Sequence, residues 1–593
     1  MDTTGGASLV PMLVRQAPRH PPGGSPRTLR PGPLVALAGL LLTSLLVACA
    51  PEGVVGVTTE LPADVALYET FELAVQGHRT RDNPFTRFVE AVFERDDHVV
   101  RVDGFYDGEQ TWRVRFAPEL PGEWHYTWRL GEQRGSGVVR VGQEPWVTRR
   151  VSPERGSVRH RGHVHARGDD RGSLMHADGS PHYWVGAKWL SAKNYGPPTR
   201  EGMLNDREED GSFHDAYYSD ATFYEFLDLA AEYDLNGMLL KLGLYPLEDD
   251  GVSWDLEWVR RADRWLAAMN ERGVYCQVTL FEPWSRRRGA PFEYSLDSSA
   301  HVLDAWSPGQ RAEKENYIRY AIARFGGYSN VYWELANRIR HPGFDERTFL
   351  DEASAHYTRW LGEHDPYGVA VAASDVDQAR TISGVTVEVP RTNTHLPAPP
   401  DTRMARVVNE LVHDCGPVGT GARAYLDATI RTPAYRACYR SANWLAFVSG
   451  AYGSSAASWL DLSRPLNATA HAVLQDLGRM RRLIEDLPVG HHYLVPDGRH
   501  VVMGNGHLGT RSRSGHLYVS YFRGPAPTGH VTVELTEGRY VAQWIDPTSA
   551  DVLAETQHLL RRTGERVFVS LPSPRIEEDA VLVIHNEAAI VVR

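Results

Sequence analysis

Hydrophobic and polar residues alternate with a period of two along much of residues 55–145. The alternation predicts strands at residues 71–75, 99–102, 111–116 and 123–128. Residues 104–108, Gly-Phe-Tyr-Asp-Gly, carry two glycines and predict a turn between strands. Residues 55–145 are therefore expected to form an N-terminal β-sandwich.

A different pattern follows, in which short apolar runs alternate with segments of helical periodicity. Helices are predicted at residues 220–233, 255–271 and 310–325. The apolar runs predict eight strands, at residues 183–187, 235–242, 273–281, 330–335, 369–373, 385–389, 406–409 and 453–459. Eight strands with helical spacers over residues 173–487 predict a (β/α)₈ TIM barrel rather than an open doubly wound sheet.

The rest of the chain completes a multidomain fold class, a TIM barrel flanked by an N-terminal and a C-terminal β-sandwich. Residues 488–593 return to short strands separated by turns, which predicts the second sandwich. Residues 146–172 are highly charged and predict a linker. We expect the linker histidines His160, His163 and His165 to be solvated rather than to bind a metal.

The first 49 residues resemble an export signal. Arginines precede an apolar run at residues 34–48, which ends in Leu46-Val-Ala-Cys49. This order predicts a lipoprotein signal peptide whose Cys49 receives the lipid. The alternative is an ordinary secretory signal with a chance cysteine. In the first case the protein is an extracytoplasmic, membrane-anchored lipoprotein of the cell surface or periplasm.

Composition and charge narrow the function. A formal net charge of −12 over 593 residues argues against binding nucleic acid. The 16 tryptophans and 26 tyrosines suit both sugar-binding grooves and a large β-rich core. No CxxC or HExxH spacing is present and no GxGxxG pattern opens a predicted helix, so the sequence predicts neither a metal nor a nucleotide cofactor. Cys276 lies in an apolar run and is expected to be a buried thiol, whereas Cys415 and Cys438 could form a disulfide.

The residues that follow the predicted barrel strands suggest a carbohydrate site, because active sites of such barrels lie at the carboxyl ends of the strands. Hydrolysis of a glycosidic bond needs two carboxyl groups, and tryptophan rings stack on sugars. Glu334 lies inside strand four and is interpreted as a structural group of the barrel interior. The candidates are the carboxylates Glu282 and Glu410, the polar residues Asn337, Arg338 and His395, and the tryptophans Trp189, Trp284 and Trp459.

Motifs along residues 60–590 resemble bacterial apiosidase-like glycoside hydrolases. In the N-terminal region these are residues 104–108, residues 112–118 (Trp-Arg-Val-Arg-Phe-Ala-Pro) and residues 121–128 (Pro-Gly-Glu-Trp-His-Tyr-Thr-Trp). The barrel contributes residues 178–186 (Asp-Gly-Ser-Pro-His-Tyr-Trp-Val-Gly) and 333–337 (Trp-Glu-Leu-Ala-Asn). Residues 544–547 (Trp-Ile-Asp-Pro) and 580–584 resemble the family's last domain. The resemblance implies a sandwich, a barrel and a C-terminal sandwich of the collagen-binding type.

The resemblance also implies roles for two positions. Glu410 matches the nucleophilic glutamate after strand seven. The acid/base carboxyl directly after Asn337 is replaced by Arg338, and arginine does not donate a proton near neutral pH. Glu282 could supply the missing acid from the neighbouring strand. Lys188 is a further departure, because relatives have a small or acidic residue there.

Each candidate also has a structural interpretation. Glu410 could be a rim carboxylate paired with an arginine such as Arg338. Glu282 could bind a sugar hydroxyl or form a salt bridge. Asn337 and His395 could hydrogen-bond substrate or cap a strand end and a loop. The three tryptophans could be barrel packing instead of sugar platforms.

Two functions of different classes remain. The first is a lipid-anchored glycoside hydrolase with Glu410 as the nucleophile of a retaining mechanism, which would need Glu410 and Glu282 about 5–5.5 Å apart. The second is a catalytically degenerate barrel, marked by Arg338, that binds glycans or surface polymers. Both imply a carbohydrate partner and membrane attachment through Cys49, and neither assigns an oligomeric state.

Overall fold

The structure is a computed structural model. It describes residues 57–59, 63–152, 156–167, 173–189, 220–242, 247–248, 250–281, 308–336, 354–374, 387–389, 405–407, 433–455, 468–497, 501–503, 507–512, 514–524, 529–560, 567–576 and 578–587. No helix within these ranges is both long and apolar enough to cross a membrane.

The N-terminal region is an eight-stranded sheet with the order β1-β8-β7-β4-β5-β6-β3, in which β2 also pairs with β8. Its strands are β1 (Val57–Thr59), β2 (Ala63–Leu67), β3 (Phe71–Gln76), β4 (Val89–Arg95), β5 (His98–Tyr106), β6 (Thr111–Phe116), β7 (Gly122–Leu130) and β8 (Gln133–Pro145). All four strands predicted here are confirmed. In β3 buried and exposed residues alternate strictly, as the sequence pattern requires.

The predicted turn at residues 104–108 is wrong in position. Gly104, Phe105 and Tyr106 are the last residues of β5, and the turn begins only at Asp107. A side chain at position 104 would meet the Arg113 carbonyl oxygen and the Val114 side chain at 2.7 Å. The glycine is therefore required by close strand packing rather than by a turn.

Residues 147–176 contain four short strands that form two antiparallel pairs, β9 with β10 and β11 with β12. They are β9 (Val147–Ser152), β10 (Gly156–Arg159), β11 (Val164–Ala166) and β12 (Leu174–His176). The expectation of solvated histidines is wrong for His160 and His163, which are 2% and 0% exposed. Charged composition misled the interpretation, because these imidazoles find partners in other segments of the fold.

The barrel region is a near-closed parallel sheet of eight strands, β19-β18-β17-β16-β15-β14-β13-β20. The strands are β13 (Trp184–Trp189), β14 (Gly237–Lys241), β15 (Tyr275–Phe281), β16 (Val331–Ala336), β17 (Val371–Ser374), β18 (Val387–Val389), β19 (Ala405–Arg406) and β20 (Gly453–Ser455). Each overlaps one of the eight predicted strands. Pairing of β20 with β13 brings the last strand back to the first. This arrangement is consistent with a barrel domain.

Five helices lie between the described strands of this sheet in sequence, and a sixth follows its last strand. They are α1 (Asp220–Glu232), α2 (Leu256–Glu271), α3 (Pro308–Phe325), α4 (Ser354–His364), α5 (Pro433–Val448) and α6 (Ala468–Glu485). The three predicted helices correspond to α1, α2 and α3. Asp255 caps α2, because its side chain accepts a hydrogen bond from the backbone N–H of Trp258.

Buried ion pairs join the N-terminal sheet to the helices of the barrel region. Arg324 donates to Asp107 at 2.9 Å and to Asp263 at 2.5 Å, and Arg115 donates to Asp263 at 2.6 Å. Arg115 lies on β6 and Arg324 on α3. We call Asp107, Arg115, Asp263 and Arg324 the buried charge cluster. Its members are 1–8% exposed, so the two regions are held together by charges that have left water.

The C-terminal region forms a six-stranded sheet, β21-β23-β24-β29-β26-β27, and a three-stranded sheet, β22-β25-β28. The strands are β21 (Leu494–Pro496), β22 (Val501–Met503), β23 (His507–Ser512), β24 (Leu517–Phe522), β25 (Gly529–Leu535), β26 (Gly538–Ile545), β27 (Val552–Leu560), β28 (Val567–Ser573) and β29 (Ala580–Asn586). Arg440 of α5 donates to Asp579, which also accepts from the Tyr521 hydroxyl at 2.6 Å. This contact fixes the larger sheet to the barrel region.

Candidate active site at the carboxyl ends of the barrel strands

The parallel sheet defines one end at which a site can form. Neighbouring strands from β13 to β19, and β20 with β13, are all parallel, so their carboxyl ends lie on the same side of the sheet. In barrels of this type, side chains and loops at that end carry the chemistry. The chain order of the strands is also their spatial order, so consecutive strands deliver neighbouring segments to this end.

The predicted site residues follow these strand ends in the sequence. Glu282 is the residue after β15, and Asn337 is the residue after β16, followed by Arg338. The other members, Trp284, His395, Glu410 and Trp459, come three to six residues beyond the strand ends. All seven lie outside the described residues. Trp189 is the last residue of β13, and its side chain is likewise outside the described part.

The described part of the site is a polar layer inside the barrel, just before these strand ends. The Thr279 hydroxyl donates to a Glu334 carboxylate oxygen at 2.5 Å, and the Tyr332 hydroxyl donates to Gln277 Oε1 at 3.1 Å. Within each pair the residues are opposite one another on β15 and β16. Gln277 and Thr279 alternate with Cys276, Val278 and Leu280, which belong to the core shared with the helices. They therefore face the barrel interior.

Glu334 is fully buried, which confirms the expectation that it is a group of the barrel interior. Burial, and after it the electrostatic effects of Cys276 and Glu334, raise the pKa of the Tyr332 phenol well above its ordinary value of 10.0. Tyr332 therefore stays protonated and keeps its donor role toward Gln277. The interior below the strand ends is polar and fixed in geometry.

The sequence pattern was not used to identify Thr279 as the partner of Glu334, nor the neighbouring pair of Gln277 and Tyr332. A signal was present, because polar residues occupy alternate positions 277 and 279 of one strand and 332 and 334 of the next. Such an alternation inside two apolar strands indicates side chains that face a polar interior. These residues lie inside the barrel, before the strand ends and not beyond them. We therefore interpret them as positioning residues.

Replacing Thr279 with valine is expected to lower the free energy of unfolding by about 1.5–3 kcal/mol, the usual worth of a hydrogen bond to a charged group. The volume of the side chain is nearly conserved while the donor to Glu334 is lost. Chemical denaturation of the purified chain measures the effect. A matched control is Thr111→Val, which removes a hydroxyl that accepts an exposed hydrogen bond from Gln76. Equal stability changes in the two variants would contradict a buried charge-assisted bond.

The cysteines do not contribute a nucleophile to the described part of the site. Cys276 is a free, fully buried thiol on β15, as expected, and burial raises its pKa far above the ordinary value. Cys438 on α5 is disulfide-bonded. Cys415, with which the sequence analysis expects Cys438 to pair, lies outside the described residues.

Buried histidines gather at the other end of the barrel, near the amino ends of the strands. His182 Nδ1 and His176 Nε2 are 3.1 Å apart, and both rings pack on Tyr275, the first residue of β15. His163 Nδ1 lies 2.8 Å from Glu119. In the described part of the chain, no group of three or more histidine, cysteine, aspartate or glutamate side chains is arranged to hold a metal ion.

A cleft of about 40 Å³ opens beside these histidines, with Arg161, His176 and Tyr275 in its wall. A second cavity, of about 110 Å³, lies among α5, α6 and the C-terminal sheet, where Trp444 and Val583 line it. The first is at the amino ends of the barrel strands and the second is outside the barrel. Neither occupies the end of the sheet at which the predicted site residues follow.

One family model matches the chain, and the match lies within the N-terminal sheet. Residues 64–130, from β2 to the end of β7, match the family described as "Domain of unknown function (DUF5060)". This match covers well under half of the chain. The chain has no match among curated protein sequences.

Solved structures resemble the chain over a much longer stretch. A crystal structure described as a "putative glycoside hydrolase" from Bacteroides vulgatus ATCC 8482 matches with a TM-score of 0.60 at 17% identity, covering 88% of this chain and 100% of that chain. A glycoside hydrolase family 5 protein from the same strain has a TM-score of 0.49 at 12% identity, covering 72% of this chain and 94% of that one. At 17% identity, the first of these likenesses concerns the fold alone. This chain therefore has a glycoside hydrolase-like fold.

Proposed function

We propose that this protein is an exported, lipid-anchored glycoside hydrolase that cleaves glycosidic bonds in polysaccharides, with Glu410 as the nucleophile of a retaining mechanism. The observation that carries the proposal is the near-closed eight-stranded parallel sheet. Its strands β15, β16, β18, β19 and β20 are each followed within six residues by a predicted site residue. A rim supplied from several strands is the arrangement in which such barrels build active sites.

The mechanism requires two carboxyl groups on opposite sides of the scissile bond. In the proposed reaction Glu410 attacks the anomeric carbon and Glu282 donates a proton to the leaving oxygen. Water then hydrolyses the glycosyl-enzyme, with Glu282 acting as the base. Arg338 occupies the place of the usual acid, and its permanent positive charge would instead favour an anionic sugar or orient a carboxylate.

The polar layer supports this site from below. Thr279 and Glu334 fix each other across β15 and β16, and Glu282 and Asn337 are the first residues beyond these two strands. A rigid pair of strands is the kind of support that precise placement of catalytic groups needs. The structural likeness over 88% of the chain supports the same class of function.

The finer assignments form part of the proposal. We assign the sequence to apiosidase-like glycoside hydrolases, with β-sandwiches at residues 55–145 and 488–593 around the barrel of residues 173–487. Lipidation at Cys49 would hold the protein at the outer face of a membrane, within reach of polysaccharides. The match of residues 64–130 and the two sheets of the C-terminal region support this layout.

The second candidate function, glycan binding without cleavage, is favoured by one observation, which is the arginine at position 338. A barrel that has lost its proton donor retains the aromatic and polar groups that bind sugar. This candidate predicts saturable glycan binding with no release of product.

The test compares the chain from residue 50 onward with its Arg338→Glu variant on pectic, hemicellulosic and bacterial polysaccharides. We expect the native chain to release reducing sugar from one polysaccharide class and to bind that class in affinity electrophoresis. Binding without release, together with activity in Arg338→Glu, would assign the native chain to glycan binding. If neither protein bound any polysaccharide of the panel or released product from it, both candidate functions would be contradicted.

A further inference from the structure

The strand β27 (Val552–Leu560) forms one edge of the C-terminal six-stranded sheet. One side of β27 pairs with β26 over its whole length, from Leu560 opposite Gly538 to Val552 opposite Ile545. In the part of the chain that the structure describes, no strand pairs with its other side. A nine-residue edge with unpaired backbone groups is a template for another strand.

This edge lacks the proline and the basic residues that commonly prevent strand addition. Its sequence, Val-Leu-Ala-Glu-Thr-Gln-His-Leu-Leu, contains no proline, lysine or arginine. Leu553 and Leu559 are 44% and 59% exposed, and Val552 is 50% exposed. Residues 553, 555, 557 and 559 are all exposed and, by the period of two, share one face of the strand. Large apolar side chains therefore stand at both ends of an open edge.

The order of residues in β27 is self-complementary about Thr556. In an antiparallel pair of two copies centred there, Leu553 lies opposite Leu559 and Val552 lies opposite Leu560. Glu555 lies opposite Gln557, so the only carboxylate of the strand meets an amide rather than a like charge. A one-residue shift would bring Glu555 opposite Thr556 and would no longer place leucine opposite leucine at positions 553 and 559.

We propose that β27 is a homodimer interface, in which the edges of two copies of this chain pair antiparallel about Thr556 and join their C-terminal sheets into one continuous sheet. The interface is isologous, because each contact occurs twice about the two-fold axis. The self-complementary order selects a second copy over an unrelated strand, since the three pairs named above are all formed by one nine-residue sequence. The proposal is independent of the catalytic assignment.

The register is tested by disulfide cross-linking of the full chain. Glu555→Cys mixed with Gln557→Cys places two thiols directly opposite, within the 4.4–6.8 Å between Cα atoms that a disulfide spans. We expect a covalent dimer in the mixture under mild oxidation and at least about tenfold less in either variant alone. The single variants are matched controls, because each thiol then lies two residues from its own counterpart, beyond that span. Equal yields in all three samples would overturn the proposed register.

The oligomeric state is tested by sedimentation of the native chain up to about 200 µM, a range suited to a small interface. We expect reversible dimerisation, lost in the double variant Leu553→Lys/Leu559→Lys, because lysines then lie opposite lysines. Mixing it with Leu553→Glu/Leu559→Glu should restore a dimer through opposite charges. Val99→Lys, at another exposed valine (48%), is the matched control and should dimerise normally. A chain that is monomeric throughout, or a dimer indifferent to both double variants, would overturn the proposal.

Discussion

Replacing Arg324 with methionine is expected to lower the free energy of unfolding by about 3–5 kcal/mol, the usual cost of removing one partner from a buried ion pair. Arg324 is 1% exposed and donates to both Asp107 and Asp263. Burial alone would raise the pKa of Asp107. The charge of Arg324 and hydrogen bonds from Arg113 and Arg324 instead hold that pKa below its ordinary value. Without Arg324, both carboxylates remain buried with fewer donors.

Chemical denaturation followed by tryptophan fluorescence measures this loss. Arg319→Met is the matched control, because Arg319 lies on the same helix and pairs with Asp103, but its side chain is 30% exposed. We expect the control to cost about 1 kcal/mol or less. A further variant, Arg324→Lys, should recover part of the stability, since it keeps the charge but not the forked geometry. If Arg319→Met were as destabilising as Arg324→Met, the buried charge cluster would not be the main contact between the two regions.

Acidification is expected to destabilise the protein from about pH 6.5 downward, well before most carboxylates titrate. Burial lowers the pKa of His160 and His182 to about 3 and that of His491 to about 4, from an ordinary value of 6.5. Burial, then the charges of His182 and Arg161, lowers the pKa of His176 in the same direction. As the pH falls below 6.5, each of these histidines therefore takes up a proton in the unfolded state while it is still neutral in the folded state.

The sign of the effect follows from this difference in proton binding. As the pH falls below 6.5, the unfolded state takes up protons that the folded state excludes, so the free energy of unfolding decreases. Each histidine contributes up to about 1.4 kcal/mol per pH unit, and four of them several kcal/mol by pH 5. His165 acts in the opposite sense. Burial would lower its pKa, but the hydrogen bond and charge of Glu119 raise it.

Glu119 adds a second loss at lower pH. Burial would raise its pKa, but hydrogen bonds from His163 and His165 lower it to about 2, from an ordinary value of 4.5. Its stabilising contribution is therefore present above pH 4.5 and disappears as the pH falls toward 2.

Thermal unfolding at pH 7.5, 6.5, 5.5 and 5.0 measures the acid effect. His160→Gln should give a shallower dependence on pH, by about one proton, because glutamine can accept from Gly162 without titrating. His98→Gln, at a histidine whose side chain is 55% exposed, should leave the dependence unchanged. A melting temperature that stays constant from pH 7.5 to 5.5 would contradict the burial of these four imidazoles.

Local pattern was sufficient to locate most strands. The eight barrel strands were predicted because apolar runs such as residues 273–281 reflect burial on both faces of a parallel sheet, which depends on sequence alone. Gly104 was misread because a glycine needed for close packing between strands looks the same, in sequence, as a glycine needed in a turn.

Long-range partners could not be predicted in this way. His163 lies in a charged segment, but it is buried between Glu119 and the carbonyl oxygen of Gly326, which are 44 and 163 residues away in sequence. Arg115 and Asp263 form an ion pair across 148 residues. Burial of a charged group depends on a partner that only the folded chain brings close, so composition predicted solvation instead.

For the candidate site, sequence located the strand ends but not the polar layer beneath them. Glu334 was correctly assigned to the barrel interior from its position within strand four. Its partner Thr279 lies on the neighbouring strand, and the pair depends on the register between β15 and β16, which no local pattern specifies.

The central claim, that this chain hydrolyses glycosidic bonds through Glu410, is tested most directly by product release from the native chain and from Glu410→Gln. Both proteins would be assayed on the polysaccharide that the native chain binds, at equal concentration and with folding verified by circular dichroism. We expect the substitution to reduce the rate by at least about 10³-fold while binding is retained, because a nucleophile acts on the barrier and not on ground-state affinity. Equal rates of product release from the two proteins would contradict the claim.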